Sequence, residues 1–305
     1  MILKSEAIFQ LSEASAFFGA EDAPEAHLGY NSSLMAATWL SLVEQSAAAF
    51  SEILKRATLP VRQARWATYV RCHDDIGWGP LLADLASPEA ERRIRAAAQW
   101  LHGQTEGSWS RGQPFQTDGA ALHGTNGALA SLCGLADPSA PASEQGQAVA
   151  RVLLMQAAIF ASGGLPILFM GDEIGLTNDR DYLSDPERAH DGRWIHRPPM
   201  NWSLLSATGA EPNAAQAIFA GVQRLGAAMR AANASAPAQV LDSATAALAR
   251  LELGDDLIVL NFSSEAQAIT LAAPNLRDRL SGEAMNPTSS IPPYGVLWLA
   301  SEAVA

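Results

Sequence analysis

Short apolar runs in the first two-thirds of the chain alternate with longer segments of helical period. The short runs predict strands, because each is brief and ends in polar or turn-forming residues; they are ILKSEAIF, the segment ending at Tyr30-Asn31, WATYVRCHDD and LPILFM. The segments between them predict helices: one beginning near Ser32 or Ser33 and running through SEIL, then SPEAERRIRAAAQWL, ALASLCGLA, QGQAVARVLLMQAAIFASG and NAAQAIFAGVQRLGAAMRAAN. This alternation indicates a parallel sheet with helical crossovers.

The pattern changes near Ala236, where the runs become short and alternating. VLDSATAALARLEL, DLIVLNFSS, AQAITLAA and GVLWLA are separated by turn signals and predict a small antiparallel β domain. Two long connections precede it. The first is an excursion from Trp78 to about Gly124, which mixes the helical stretch SPEAERRIRAAAQWL with a Gly- and polar-rich passage, and the second is a loop from Gly171 to about Ala210. A loop of that length is commonly functional, and this one is rich in charged and aromatic residues.

Polar residues recur where the predicted parallel strands end. They are Glu6, Tyr30-Asn31, His73-Asp74-Asp75 and Asp172-Glu173. In a (β/α) barrel, active sites are built at this end of the sheet. The pattern therefore predicts one site assembled from successive strand ends.

Charge and cysteine content narrow the functional classes. The 305 residues carry 20 Lys+Arg against 32 Asp+Glu, a net charge of −12, so we expect no nucleic-acid or anionic-membrane partner. Two cysteines without a CxxC motif fit a reducing cytoplasm, and MILKSEAIFQ lacks the features of a signal peptide. The apolar stretch from Val152 to Gly171 is nearly long enough to span a bilayer, but its Gly-Gly pair and Pro166 favour a helix followed by a buried strand.

Each candidate residue also has a plain structural interpretation. A strand-end Asp is commonly a cap, the Trp109, Trp194 and Trp202 side chains can simply pack, and Glu6 beside Lys4 can be a solvated charge. A metal site is a further alternative, with oxygen and nitrogen ligands from His73, Asp74, Asp75, His123, Asp172 and Glu173, although no spacing typical of a metal motif supports it.

Carbohydrate chemistry is the competing functional interpretation. Cleavage of a glycosidic bond requires carboxyl groups on both faces of the anomeric carbon. The strand ends and loops supply carboxylates, Arg, His and aromatic faces of the kind that bind sugar hydroxyls and rings.

Five segments carry a resemblance to a known family. In order, LKSEAIF, YNSSLMAATW, YVRCHDDIGW, GGLPILFMGDEIG and DGRWIHRPPMNW resemble the C-terminal half of amylosucrases and close relatives, including sucrose hydrolases, in the α-amylase superfamily, glycoside hydrolase family 13. The resemblance extends over essentially the whole chain. It implies an α/β fold: the C-terminal half of a TIM-type (β/α)8 barrel, strands five to eight, followed by a small antiparallel β domain.

The resemblance also implies roles for individual residues. Glu6, at the end of the fifth strand, matches the general acid/base, and Asp74 matches the carboxylate that holds the glucosyl hydroxyls and stabilises the transition state. His73 donates to the same sugar, while Asp75 and Arg193 contact the fructosyl part of sucrose. The family implies no organic cofactor, and no motif here indicates a structural calcium.

The implied domains are a first barrel segment over 1–77, an inserted loop domain over 78–123 after the seventh strand, a last barrel segment over 124–236 and the β domain over 237–305. The expected substrate is sucrose or another α-glucoside.

Two departures from the family pattern modify this expectation. The family nucleophile, an aspartate on the fourth strand, has no counterpart here, so we expect a truncated chain that is inactive alone; Arg193 likewise loses the acidic partner that the family supplies early in the barrel. ALHGT, from Ala121 to Thr125, stands where amylosucrases commonly carry an Arg, which leaves hydrolysis or transfer to small acceptors open.

The alternatives are a vestigial or non-catalytic glucoside-binding protein and a fragment of another α-glucosidase or trehalose-forming enzyme.

Overall fold

Parallel pairing joins four short strands into the sheet that carries the polar strand ends. The computed structural model describes residues 1–115, 123–232, 237–271 and 275–301. In it, β1 (Lys4–Ser5), β4 (Leu28–Tyr30), β5 (Arg65–Thr68) and β9 (Leu165–Pro166) pair in that order, each parallel to its neighbour. The predicted parallel sheet with helical crossovers is thus found, with shorter strands than the apolar runs suggested.

The remaining elements follow in chain order. The helices are α1 (Ala14–Phe18), α2 (Ser32–Glu44), α3 (Ala48–Arg56), α4 (Gly79–Leu85), α5 (Pro88–Leu101), α6 (Leu129–Leu132), α7 (Gly146–Ala161) and α8 (Ala214–Ala232). The other strands are β2 (Gly19–Ala20), β3 (Ala23–Pro24), β6 (Ile76–Gly77), β7 (Gln113–Phe115), β8 (Gly124–Asn126), β10 (Gln239–Leu241), β11 (Leu248–Leu253), β12 (Asp256–Asn261), β13 (Gln267–Thr270), β14 (Leu276–Asp278), β15 (Thr288–Ile291) and β16 (Val296–Ser301).

The helix predicted from Ser32 onwards is two helices. The Asn31 side chain caps α2 by accepting a hydrogen bond from the Leu34 amide at 2.9 Å, one position earlier than the predicted serines. Gln45 then adopts a left-handed conformation at φ 53°, which ends α2, and the chain restarts as α3. The Trp39 indole of α2 donates to the Val70 carbonyl at 2.6 Å and so fixes this helix against the chain that leads to the HDD motif.

The prediction that LPILFM forms a buried strand is wrong in extent. Only Leu165 and Pro166 pair as a strand, and Leu165 and Met170 are 43% and 59% exposed. β9 and β1 are the two edges of the parallel sheet, and Ile2 and Leu3 beside β1 are exposed as well. Apolar side chains thus reach solvent at both edges of this sheet.

The excursion after the HDD motif contains α4, α5 and β7, an edge strand of a small antiparallel sheet. Ser87 caps α5 by accepting from the Ala90 amide at 3.1 Å, with Pro88 in the first turn. β8 follows the excursion in the chain and lies between β6 and β7 in this sheet. Because β6 and β8, the strands before and after the excursion, pair with each other, they hold its two ends together. Residues 116–122, which include Ala121 and Leu122 of ALHGT, lie outside the described residues.

The loop expected from Gly171 to Ala210 is built from 3-10 turns rather than left irregular. These are Asp172–Ile174, Asp181–Ser184, Gly192–His196 and Trp202–Ser206. Helix α8 packs against the first and the last of these turns.

Antiparallel strands occupy the C-terminal part, as the alternating pattern predicted. β10, β11, β12, β16 and β14 form one sheet in that order, and β13 pairs with β15. A single hydrophobic core joins this sheet to the helices, since Trp39 of α2, Leu154 of α7, Phe262 and Trp298 belong to one buried cluster.

The four-part domain division stays a prediction, and its boundary near Ala236 and parts of its last segment (272–274 and 302–305) lie outside the described residues. No helix within the described residues has the length and apolar content needed to cross a bilayer.

Candidate active site

Arg71 anchors the chain immediately before the HDD motif. Its Nε donates to Asp172 Oδ1 at 2.9 Å, and its guanidinium lies 4.4 Å from the ring centroid of Phe169. The two charged side chains are only 2% and 1% exposed. Burial raises the pKa of Asp172 to about 6, and the neighbouring Arg71 opposes that shift. Asp172 therefore joins the ends of β5 and β9 instead of opening onto a site.

Three donors hold the backbone at His73. Its carbonyl accepts from Arg197 Nε at 2.9 Å, from Arg197 Nη2 at 2.6 Å and from His196 Nε2 at 3.1 Å. Burial, with the nearby Arg71 charge, lowers the pKa of His196 to about 3, so that its imidazole is neutral at physiological pH. The sequence motif RWIHRPP contained these two residues, but nothing in it indicated that they orient the HDD turn.

Asp74 lies among the side chains of Arg193, Arg197 and His73. Its Oδ1 accepts from Arg193 Nη1 at 2.7 Å, and Arg197 Nη2 lies 4.0 Å from the same oxygen. The His73 Nε2 is 3.5 Å from Asp74 Oδ2. The Asp74 side chain is 31% exposed, so its carboxylate is partly open to solvent.

Arg193 forms an ion pair with Asp191, two residues earlier in the chain. The family pattern implied instead an acidic partner early in the barrel. Its Nε donates to Asp191 Oδ1 at 2.9 Å and its Nη2 to Asp191 Oδ2 at 3.1 Å. Asp191 also caps the 3-10 turn by accepting from the Arg193 amide at 3.0 Å. These hydrogen bonds lower the pKa of the Asp191 carboxyl.

Asp75 fills space that only a glycine leaves free. A Cβ placed on Gly124 would lie 1.7 Å from Asp75 Oδ2. Burial raises the pKa of the Asp75 carboxyl, and the charge of Asp74 adds to that shift. The described chain thus brings the neighbouring carboxylates of Asp74 and Asp75 into two different environments.

The Glu6 side chain is exposed to solvent, whereas an acid/base residue with a raised pKa is expected to be partly buried. Its side chain is 61% exposed, and Lys4 Nζ lies 3.4 Å from Glu6 Oε2. Lys4 in turn donates to the Tyr30 hydroxyl at 2.6 Å. The expected partial burial of Glu6 in a closed pocket is therefore not found.

One cavity of about 150 Å³ nevertheless joins Glu6 to the HDD motif. Its lining is Glu6, Ala7, Ile8, Tyr30, Ser32, Met35, Tyr69, Cys72, Asp74, Asp75 and Gly77. Three carboxylates and two tyrosines thus face one space, which is smaller than the roughly 300–1,000 Å³ of pockets for drug-sized ligands. His73 and Arg193 are not in this lining, and both approach it through Asp74.

Sequence reasoning missed the contribution of Tyr69, Met35 and Cys72 to the cavity. The Tyr69 hydroxyl lies 3.1 Å from Ser32 Oγ, and its ring packs edge-on against Tyr30 at 5.0 Å. The positions of Tyr69 and Cys72 beside the HDD motif are the signal that could have found them. Met35 has no such signal, since it is one apolar residue among many on α2.

The residues of the metal alternative do not form a cluster. Across the described residues, no three His, Cys, Asp or Glu side chains are placed to hold a metal ion together. Asp172 is engaged by Arg71, and Glu173 Oε2 accepts from the Gly171 amide at 2.7 Å. The metal interpretation is therefore not supported by this part of the chain.

The fold of this chain is similar to part of the fold of several solved enzymes, including α-amylases. No family model matches the sequence. The structure is similar to that of an AmyP variant in complex with maltotriose, at a TM-score of 0.60 and 14% identity over 100% of this chain and 56% of that one.

It is also similar to a sucrose 6F-phosphate phosphorylase from Thermoanaerobacter thermosaccharolyticum, at a TM-score of 0.60 and 17% identity over 95% of this chain and 51% of that one. A type III pullulan hydrolase from Thermococcus kodakarensis gives a TM-score of 0.55 and 14% identity, over 98% of this chain and 40% of that one. The chain thus spans about half the length of these enzymes, and the likeness is one of fold.

Proposed function

We propose that this chain binds α-glucosides in the cavity between Glu6 and the HDD motif and carries the acid/base side of a glucoside-cleaving site. The observation that supports this most directly is the convergence of Glu6, Asp74 and Asp75 on one small cavity from two strand ends. The AmyP structure with maltotriose and the sucrose 6F-phosphate phosphorylase, which share the fold, support the class of ligand. Sucrose is the first substrate to test, as in an amylosucrase or sucrose hydrolase.

Each residue then has a distinct task. Glu6 protonates the departing oxygen, and Asp74 holds the hydroxyls of the glucosyl ring through the oxygen that Arg193 leaves free. His73 donates to the same ring, while Asp75 and Arg193 contact the second ring. Tyr30 and Tyr69 line the same cavity and add apolar ring surface to its wall.

Turnover requires one more group. A retaining mechanism places two carboxyl groups about 5–5.5 Å apart, with one acting as nucleophile. The resemblance assigns that role to no residue of this chain, so we expect binding without cleavage. A carboxylate supplied by another polypeptide segment would restore the reaction.

A non-catalytic glucoside-binding protein is the second candidate. Two observations favour it: Glu6 is 61% exposed, and Arg193 already neutralises Asp74 at 2.7 Å. A cytoplasmic location stays a prediction of the sequence, which leaves the choice between hydrolysis and transfer, and the acceptor, open.

Saturation-transfer NMR and calorimetry with sucrose, maltose and methyl α-glucoside test the proposal. We expect binding that Asp74→Asn weakens about tenfold to a hundredfold, the loss that accompanies removal of a hydrogen bond to a charged group. Glu6→Gln should leave binding within about twofold, because a charge on an exposed side chain contributes little.

Release of glucose and fructose from sucrose, followed in the same samples, separates the two candidates. Turnover by the wild-type chain that Glu6→Gln abolishes would disprove our expectation of an inactive chain and exclude the non-catalytic candidate. The whole proposal fails if none of the three sugars binds, or if Asp74→Asn binds them as well as the wild type does.

A further inference from the structure

We propose that Gln113 is a positioning residue that sets Arg193 against Asp74 and thereby favours ligands with a second ring. The inference rests on the proposed function, in which Arg193 faces the second ring of a disaccharide. It concerns the strand β7, which lies outside the cavity and belongs to the excursion after the HDD motif.

Gln113 forms a hydrogen bond with the turn that carries Arg193. The Gln113 Nε2 donates to the Gly192 carbonyl at 3.2 Å and to the Tyr182 hydroxyl at 3.2 Å. Gly192 is the residue immediately before Arg193, so this contact fixes the backbone from which the guanidinium extends. Tyr182 is 6% exposed and gives the Gln113 amide a rigid second partner.

A second residue of the same strand contacts Arg193 itself. The Arg193 guanidinium lies 5.3 Å from the ring centroid of Phe115. Gln113 and Phe115 are two positions apart in β7, and side chains at such positions point to one face of a strand. One face of β7 thus supports both the backbone and the side chain of Arg193.

The neighbouring strand also borders this turn. Asn126 of β8 is the register partner of Gln113. A Cβ added to Gly192 would lie 3.2 Å from Gln113 Nε2 and 3.4 Å from Asn126 Nδ2, so the turn sits directly on two side-chain amides. The Asn126 amide is fully buried, and neither its nitrogen nor its oxygen has a partner among the described residues. The Asn126 amide therefore borders the turn without a hydrogen bond to it, and the direct contacts with the turn come from Gln113 and Phe115.

The hydrogen bonds of the Arg193 guanidinium are shared between two carboxylates, Asp191 and Asp74. Asp191 holds two of its nitrogens and Asp74 a third, so a small shift of the turn moves the guanidinium on Asp74 by a similar amount. The glucosyl ring is held through the free oxygen of Asp74 and does not depend on this placement. Loss of Gln113 should therefore weaken sucrose binding and spare methyl α-glucoside.

Calorimetry on the full chain with both sugars tests this inference. For Gln113→Leu we expect sucrose affinity to fall about threefold to tenfold, the change that one neutral hydrogen bond corresponds to, with methyl α-glucoside affinity unchanged. In an Arg193→Met background, the same Gln113→Leu change should have no further effect on sucrose, because it acts through Arg193. Gln99→Leu, at an exposed position of α5, is the matched control and should alter neither affinity.

Phe115→Leu gives an independent test if Gln113→Leu does not fold, which circular dichroism would reveal. It removes the aromatic face from Arg193, and we expect the same selective loss for sucrose. Equal losses for both sugars, or an undiminished Gln113→Leu effect without Arg193, would overturn the positioning role and leave the proposed function standing. Absence of binding of both sugars to the wild type would overturn both together.

Discussion

The buried ion pair between Arg71 and Asp172 provides the sharpest stability prediction. In Arg71→Met, the Asp172 carboxylate, which is 1% exposed, would lose the guanidinium that donates to it at 2.9 Å. Breaking a buried pair by removing one partner costs about 3–5 kcal/mol, since the remaining charge is left uncompensated. We expect the free energy of unfolding to fall by about that amount at pH 8, measured by urea denaturation.

The double variant Arg71→Met/Asp172→Leu supplies the control. Replacing both charged groups with apolar residues of similar size is commonly neutral or stabilising by about 1–4 kcal/mol. The Phe169 ring, which lies 4.4 Å from the Arg71 guanidinium, would then pack on a methionine. We expect the double variant to recover most of the stability that the single variant loses.

The pH dependence follows from the raised pKa of Asp172. Its pKa is about 6 in the folded chain and about 3.9 in the unfolded chain, so the folded state binds the extra proton between these values. The stability that this proton contributes is fully present below about pH 3.9 and is lost as the pH rises through 6. Without Arg71 the folded pKa moves higher still, and the deficit of Arg71→Met should be smaller at pH 5 than at pH 8.

Two results would refute this reasoning. One is a double variant as unstable as Arg71→Met, which would show that packing volume and not charge carries the effect. The other is a deficit of Arg71→Met that does not change between pH 5 and pH 8.

Three further predictions concern single contacts. Gly124→Ala places a methyl group 1.7 Å from Asp75 Oδ2, so calorimetric titration should show weakened glucoside binding and thermal unfolding should show a cost of about 1–3 kcal/mol; unchanged binding would contradict the placement of Asp75. NMR titration of His196, whose pKa burial lowers to about 3, should show ring signals that stay constant from pH 8 to pH 5, and a midpoint near 6.5 would exclude its burial. Glu44→Ala breaks a bidentate contact with Arg93 at 2.6 and 2.7 Å on a partly exposed surface, so denaturation should show a cost of about 1 kcal/mol or less that shrinks in high salt; a salt-independent cost would point to packing.

Local sequence signals, such as helix caps, account for the parts of the fold that the sequence predicted correctly. The predicted alternation of strand and helix is found, and its helix starts lie close to the predicted ones: Ser87 caps α5, and Asn31, one position before the predicted serines, caps α2. The predicted length of β9 is wrong, because apolar content alone does not distinguish a strand from an apolar loop. Leu165 and Met170 satisfy the same pattern as a buried strand but lie at a sheet edge.

Contacts between distant residues explain what the sequence could not predict of the site. Arg193 reaches Asp74 across 119 positions, and neither residue carries a local sign of the other. Asp84 is a stronger case: it looks like a surface residue of α4, yet its carboxylate accepts from the Leu11 amide and from the Ser33 hydroxyl. That contact ties the segment after Glu6 to α2, and only tertiary structure reveals it.

The shared core of the helices and the C-terminal strands has a consequence for how the molecule unfolds. Leu154 of α7 and Trp298 of β16 are fully buried in one cluster, so neither region retains its packing when the other melts. Calorimetry should therefore record a single cooperative transition, and removal of the strands after residue 237 would uncover α7 and promote aggregation. The strand-rich end thus serves as a stabilising clamp on the helix that leads into β9.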